Sequence, residues 1–133
     1  MPKIEWTKKF SVGVTEIDEQ HKKWIEIINR LHDAIMIRSG GKDLSESILN
    51  EMLEYTEFHF SFEEKFLEEQ GYPGLEGHKC IHEYYKETLR LKLRDRQSGD
   101  LVLSREVMQM LTDWLQAHIL DEDMQYSLYL EAK

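Results

Sequence analysis

The chain has 133 residues, enough for one domain with a sizeable core. Its 26 acidic against 17 basic residues leave a net charge of −9, which argues against nucleic-acid binding and against attraction to an anionic membrane surface. The single cysteine, Cys80, rules out an intramolecular disulfide, and no apolar run is long enough for a membrane span or a signal core, so a cytoplasmic protein without membrane insertion is expected.

The only prolines are Pro2 and Pro73, which leaves room for long uninterrupted helices. Residues 1–17 read as an extended arm packed on the body, with Trp6, Phe10, Val12, Val14 and Ile17 at mixed spacing around Gly13. Asp18 is a good N-cap, with Ile17 before it as a staple, and opens a first helix over 18–38 that ends before Ser39-Gly40-Gly41. His21, Ile25, Ile28, His32 and Ile35 share its inner face, while Lys22, Lys23, Glu26, Asn29 and Arg30 take the outer side. Asp43 and Glu46 fit a capping box for a second helix over 44–70, whose inner stripe is Ile48, Met52, Tyr55 or Thr56, His59, Glu63 and Phe66. Gly71 is a natural stop, and Gly71-Tyr72-Pro73-Gly74 reverses the chain. The third helix spans 75–96 with His78, Ile81, His82, Tyr85 and Leu89 inward, and Ser98-Gly99-Asp100 breaks it. Ser104 caps a fourth helix over 105–120, with Met108, Leu111, Trp114 or Leu115, and His118 inward. The tail, 121–133, carries Met124, Tyr126, Leu128 and Leu130 and predicts a short fifth helix. The pattern is all-α: an up-down-up-down four-helix bundle with an N-terminal arm and a short C-terminal helical tail, one domain over 1–133.

The chemistry lies in the histidines. His59 and Glu63 are four apart, and so are His78 and His82, so each pair shares one helix face about 6 Å apart along the axis. A buried imidazole needs hydrogen-bond partners, and a buried unpaired carboxylate is expensive. Five histidines and a glutamate on inward stripes of four helices are hard to satisfy except by a shared cation. Alternating helix directions put His21, His59, Glu63, His78, His82 and His118 near one end of the bundle. His32 lies about 16 Å along the first helix from His21, at ~1.5 Å per residue, and takes an ordinary polar role. After His118 comes HILDED. Asp123 is five residues on, off the His118 face of an undistorted helix, so its use as a ligand requires the helix to end or bulge. Asp121 and Glu122 compete with it on spacing. Cys80 lies on the far face between His78 and His82 and reads as structural.

Imidazole with carboxylate suits iron, zinc, copper or nickel. The set exceeds what one zinc takes, and HKCIH lacks the glutamate of HExxH. Two octahedral ions offer twelve positions. Five histidines, two bridging carboxylates and one bridging oxo or hydroxo group fill eleven, leaving one for a small exogenous molecule.

His21 in DEQH, His59 and Glu63 in HFSFEE, His78 and His82 in HKCIH, and His118 and Asp123 in HILDED match the seven-ligand motif of the hemerythrin family, which the chain resembles from about Ile4 to Leu130. The resemblance implies two iron ions, Fe2+ or Fe3+, joined by an oxo or hydroxo bridge. It selects Asp123 over its acidic neighbours and makes Glu63 and Asp123 the bridges. It gives one iron His78, His82 and His118, and the other His21, His59 and the open position. It implies reversible dioxygen binding for transport, storage or delivery to an oxygen-consuming enzyme. Around the open position Trp24, Phe60, Trp114, Leu115 and Ile119 are expected to form an apolar pocket. Trp24 departs from the family, which more often carries an aliphatic residue there. Tyr72 and Tyr126 match tyrosines the family places near the core.

Three functions share this site. The first is an oxygen carrier, a monomer and not an enzyme. The second is a di-iron oxidase or peroxidase, for which the sequence offers no proton donor beyond the ligands. The third is an oxygen or redox sensor.

Overall fold

A computed structural model of the chain describes residues 4–36, 41–98 and 105–132, with side chains over 4–34, 46–95 and 109–132. Its helices are α1 (Thr15–Met36), α2 (Gly41–Glu69), α3 (Leu75–Ser98), α4 (Arg105–Ala117) and α5 (Met124–Glu131). A 3-10 turn, Lys8–Phe10, precedes them, and a π-turn, His118–Asp123, joins α4 to α5. There is no strand among the described residues. The all-α bundle expected from periodicity is what the chain forms. The expected stop at Ser39-Gly40, the break at Gly99-Asp100, the Ser104 cap and the side chains of Ile35, Asp43 and Met108 lie outside the described residues.

The arm shows how local sequence anchors the bundle. Helix α1 begins three residues earlier than expected, so Asp18 is not its N-cap but lies in its first turn. Its carboxylate accepts from Ser11 Oγ at 2.5 Å and from the Val12 N–H at 2.9 Å, clamping the arm against α1. Gly13 makes the bend between them at φ 81°, a left-handed conformation that suits glycine. Asn29, expected on the outer face, instead pairs with the backbone of Ile4 through both halves of its amide, at 3.0 and 2.8 Å.

Between α2 and α3 the Tyr72 N–H bonds Leu67 O at 3.0 Å and the Gly71 N–H bonds Glu68 O at 3.1 Å. This is a Schellman stop, with Gly71 at φ 69° as its left-handed residue and Leu67 packed in one cluster with Tyr72. Gly74 lies against the Tyr72 ring. A Cβ there would come within 2.8 Å of the Tyr72 ring, so only glycine lets that ring lie across the loop.

The apolar core falls into two clusters. The larger contains Trp24, Ile28, Leu31, Met52, Phe60, Tyr85, Leu89, Leu111 and Leu115 among others. The smaller contains Val12, Ile17, Leu67 and Tyr126, with Phe66, Tyr72 and Leu75 against it. Each fully buried Leu or Ile contributes about 1.5–3 kcal/mol. Along α1, Ile17 belongs to the small cluster and Trp24 to the large one, with His21 between. Along α2 the order reverses: Phe60, then Glu63, then Leu67. On α3, Leu75 precedes and Tyr85 follows His78 and His82. From α4 into α5 the sequence runs Leu115, His118, Asp123, Tyr126. The alternating order is the signature of antiparallel helices, and it leaves one polar layer between two greasy ones. On α2 Thr56 takes the buried position and Tyr55 is half-buried, while on α4 Leu115 is fully buried and Trp114 half-buried. Phe66 and Ile81 are also only half-buried.

Candidate metal centre

The polar layer holds His21, His59, Glu63, His78, His82, His118 and Asp123, all at most 4% exposed. Pairs four apart stack on one helix face, which explains His59 with Glu63 and His78 with His82. His118 and Asp123 are five apart and meet because the helix widens into a π-turn between them, the bulge that use of Asp123 demands. Their Nε2 and Oδ1 atoms are 3.1 Å apart. Asp121 is exposed and Glu122 half-buried; neither joins the cluster.

The two carboxylates divide the histidines. Glu63 Oε1 lies 2.5 Å from His78 Nε2 and 3.1 Å from His82 Nε2. Its other oxygen lies 3.4 Å from His59 Nε2 and 3.7 Å from His21 Nε2. Asp123 Oδ1 is 3.1 Å from both His78 and His118, and its Oδ2 is 3.0 Å from His21. The ligand-type atoms thus fall into two groups, one of Glu63, His78, His82, His118 and Asp123, the other of His21, His59, Glu63 and Asp123. Both carboxylates belong to both groups. His32 and Cys80 belong to neither: the His32 side chain is 12% exposed and 3.9 Å from Asp33, and Cys80 is exposed on the outer face rather than packed.

His78 Nε2 pairs with Glu63 Oε1 and His21 Nε2 meets His59 Nε2 at 3.1 Å, but the remaining atoms are close without satisfying one another. His82 Nε2, His118 Nε2 and both Asp123 oxygens are buried and make no aligned hydrogen bond. Lone pairs that converge on shared space between them, in a layer sealed from water, fit a cation. The outer nitrogens are held. His59 Nδ1 meets Gln20 Oε1 at 2.7 Å, and His82 Nδ1 meets Glu64 Oε2 at 2.8 Å. Both acceptors oblige Nδ1–H to donate, which leaves Nε2 free to ligate. Tyr126 donates its hydroxyl to Glu63 Oε2 at 3.0 Å. Gln20 and Glu64 escape a periodicity reading because each reaches a histidine on the next helix. Their only trace in the sequence is their place beside His21 and Glu63.

Electrostatics agree. Burial opposes charge on His21 and His78, yet Asp123 and Glu63 beside them raise the rings to about 9 and about 10. Burial lowers His118 to about 3 and also lowers His59. Burial would raise Glu63, but its four histidine neighbours hold it well below the usual carboxylate range. Without an ion, protonated His21 and His78 neutralise the two carboxylates.

Above the layer, Trp24 faces the cluster, with its ring 5.4 Å from that of His59 and 6.4 Å from that of His21. Trp24, Phe60, Leu115 and Ile119 are fully buried. Three buried polar atoms of the core, Trp24 Nε1, Thr56 Oγ1 and the Tyr85 hydroxyl, find no hydrogen-bond partner.

Histidines and carboxylates drawn inward from facing helices define a metal-binding four-helix-bundle protein. The family model described as the hemerythrin HHE cation binding domain matches residues 12–128, and the chain belongs to the hemerythrin family. It is similar to the Bacteriohemerythrin of Stenotrophomonas maltophilia, 34% identical over 133 residues, covering 99% of this chain and 84% of that one. It is also similar to the Myohemerythrin of Theromyzon tessulatum, 29% identical over 127 residues, covering 92% and 89%. A crystal structure of wild-type hemerythrin superposes with a TM-score of 0.88 at 25% identity, covering 95% of this chain and 96% of that one. No helix among the described residues is long and apolar enough to cross a membrane.

Proposed function

We propose that the chain, as one domain over residues 1–133, holds two iron ions in its polar layer and binds dioxygen reversibly, as a carrier, store or donor to an oxygen-consuming enzyme. The observation that carries this is the division of the carboxylates. Glu63 and Asp123 each turn one oxygen toward His21 or the His21–His59 pair and the other toward His78 and its neighbours. Glu63 and Asp123 are the bridges. His78, His82 and His118 complete one ion, and His21 and His59 serve the other and leave it an open position. Iron bound there would supply the redox couple through which dioxygen is held, and an oxo or hydroxo group would complete the site. Gln20 and Glu64 keep the His59 and His82 rings facing the ions. The buried Trp24, Phe60, Leu115 and Ile119 exclude water from the open position, which slows irreversible oxidation.

The carrier is read as a cytoplasmic monomer and not an enzyme. Iron analysis, with visible spectra under argon, under air and under argon again, tests it: a reversible change with two irons per chain is expected. A second reading, oxidase or peroxidase chemistry at the same site, gains from Tyr126, whose hydroxyl donates to Glu63 Oε2. Steady turnover of peroxide or nitric oxide by the purified protein establishes that reading instead.

A further inference from the structure

Directly above the polar layer lies a deck of four aromatic rings, one from each of α1–α4: Trp24, Phe60, Tyr85 and Trp114. Every pair among them is in ring contact, with centroids from 3.3 to 6.3 Å apart. Two of them stack flat on histidines of the layer. Phe60 lies 3.7 Å from His82 at 1°, and Trp114 lies 4.9 Å from His118 at 10°. Tyr85 stacks on Trp114 in turn, at 3.3 Å and 5°.

The rings differ in what they can do with an electron vacancy. Phenylalanine is the hardest of the three types to oxidise. A phenol gives up its electron together with its proton, and the Tyr85 hydroxyl is buried without an acceptor. Trp24 Nε1 is equally buried and unpartnered, so an indole cation formed there keeps its proton and its charge in a dry core. Trp114 alone in the deck is half-buried. It lines a surface cleft with Gln109, Met110, Asp113 and Ala117, where a proton can pass to water.

The geometry points to Trp114, through its stack on His118, as the exit by which oxidising equivalents leave the metal layer. The inference rests on the iron reading above. Suppose hydrogen peroxide meets the fully ferric layer. Its O–O bond would break as it accepts two electrons and two protons and leaves as two waters, and the protein would have to supply the two electrons. Trp114 returns one electron and releases its Nε1 proton to water, becoming a neutral indolyl radical. A one-electron donor of the phenol class at the cleft restores the electron and the proton and ends as a phenoxyl radical. A second passage through the same ring makes good the second electron. The route keeps the oxidising equivalent away from the fully buried Trp24, where no donor reaches it.

The test uses the full iron-loaded chain, oxidised to the ferric form, mixed with hydrogen peroxide and frozen for electron paramagnetic resonance. A tryptophanyl signal is expected in the parent protein, lost in Trp114→Phe and kept in Trp6→Phe, whose ring lies on the arm against Phe10. Phenylalanine preserves the stack, and iron content and the ferric visible spectrum of Trp114→Phe are recorded first to show an intact site. Tyr126 is the rival ring, because its hydroxyl is bonded to Glu63. A tyrosyl signal in the parent protein, no organic radical at all, or a tryptophanyl signal that survives Trp114→Phe overturns the exit while leaving the iron reading intact. A parent protein that takes up no iron overturns both.

Discussion

His118 and Asp123 are five residues apart in the chain, yet His118 Nε2 lies 3.1 Å from Asp123 Oδ1, because the helix widens to a π-turn over His118–Asp123. In an undistorted helix, at ~3.6 residues per turn, the two would point well away from each other. Deleting the exposed Asp121 removes the extra residue and lets regular α-helix continue. The expected product keeps its helical content by circular dichroism but swings the shortened segment's carboxylate off the His118 face and loses bound iron. A deletion variant with full iron would show that the bulge is incidental.

Glu63 stands between the two histidine groups, its oxygens within 3.4 Å of His59, His78 and His82. Glu63→Ala removes one anion shared by both ligand groups and leaves an excess of imidazoles between them. Iron per chain is expected to fall to one or fewer. His32→Ala, at a ring outside both groups, is the control and keeps iron content and visible spectrum. Two irons retained in Glu63→Ala would remove the bridging role.

The position of the site was legible because its residues obey simple periods. His59 with Glu63 and His78 with His82 repeat at four, and alternating helix directions put them level with His21 and His118. What was not legible depends on three-dimensional neighbours or on irregular backbone. The π-turn has no periodic signature, so Asp123 competed on equal terms with Asp121 and Glu122. Gln20 and Glu64 act across helices, on His59 and His82. Asp18 looked like a cap because a carboxylate before an apolar run usually is one. Here it answers Ser11 and Val12 in the arm instead.

Gln20 offers a test of orientation separate from ligation. Its Oε1 fixes the His59 ring from behind at 2.7 Å. Gln20→Leu keeps the volume and removes the acceptor. Partners of this kind are worth about 10–100-fold in metal affinity. Competition with a chelator is expected to show weaker retention of iron in the variant, with the fold unchanged. Equal retention would make Gln20 a packing residue only.

Metal-free protein carries a pH dependence that the loaded form lacks. His21 and His78 sit at about 9 and about 10 because Asp123 and Glu63 outweigh their burial. Groups raised above their ordinary 6.5 stabilise fully below that pH, and the contribution is lost as pH climbs through 9 and 10. His118 works the other way. Burial lowers it to about 3, so its contribution is lost as pH falls below its ordinary value. The melting temperature of metal-free protein is therefore expected to drop between about pH 7 and pH 10. Bound ions displace those protons and flatten the curve. Parallel melting curves for the two forms would contradict the protonated pairs.

Trp24 is placed to govern access to the proposed open position. It is fully buried, its ring contacts His21, His59 and His118, and its indole N–H has no partner. Trp24→Leu exchanges a large ring for a smaller aliphatic chain. The lost packing costs roughly 2–4 kcal/mol, within the range for large-to-small core changes. Removal of an unsatisfied buried donor returns about 1–3 kcal/mol of that, so the variant is expected to fold. The space released lies beside His59, next to the proposed open position, where a small gas molecule must pass. Stopped-flow mixing of the ferrous protein with dioxygen is expected to show faster association in Trp24→Leu, and faster loss to the ferric form as water gains the same access. If both rates match the parent protein, the indole does not guard the entrance, and gas reaches the ions by another path.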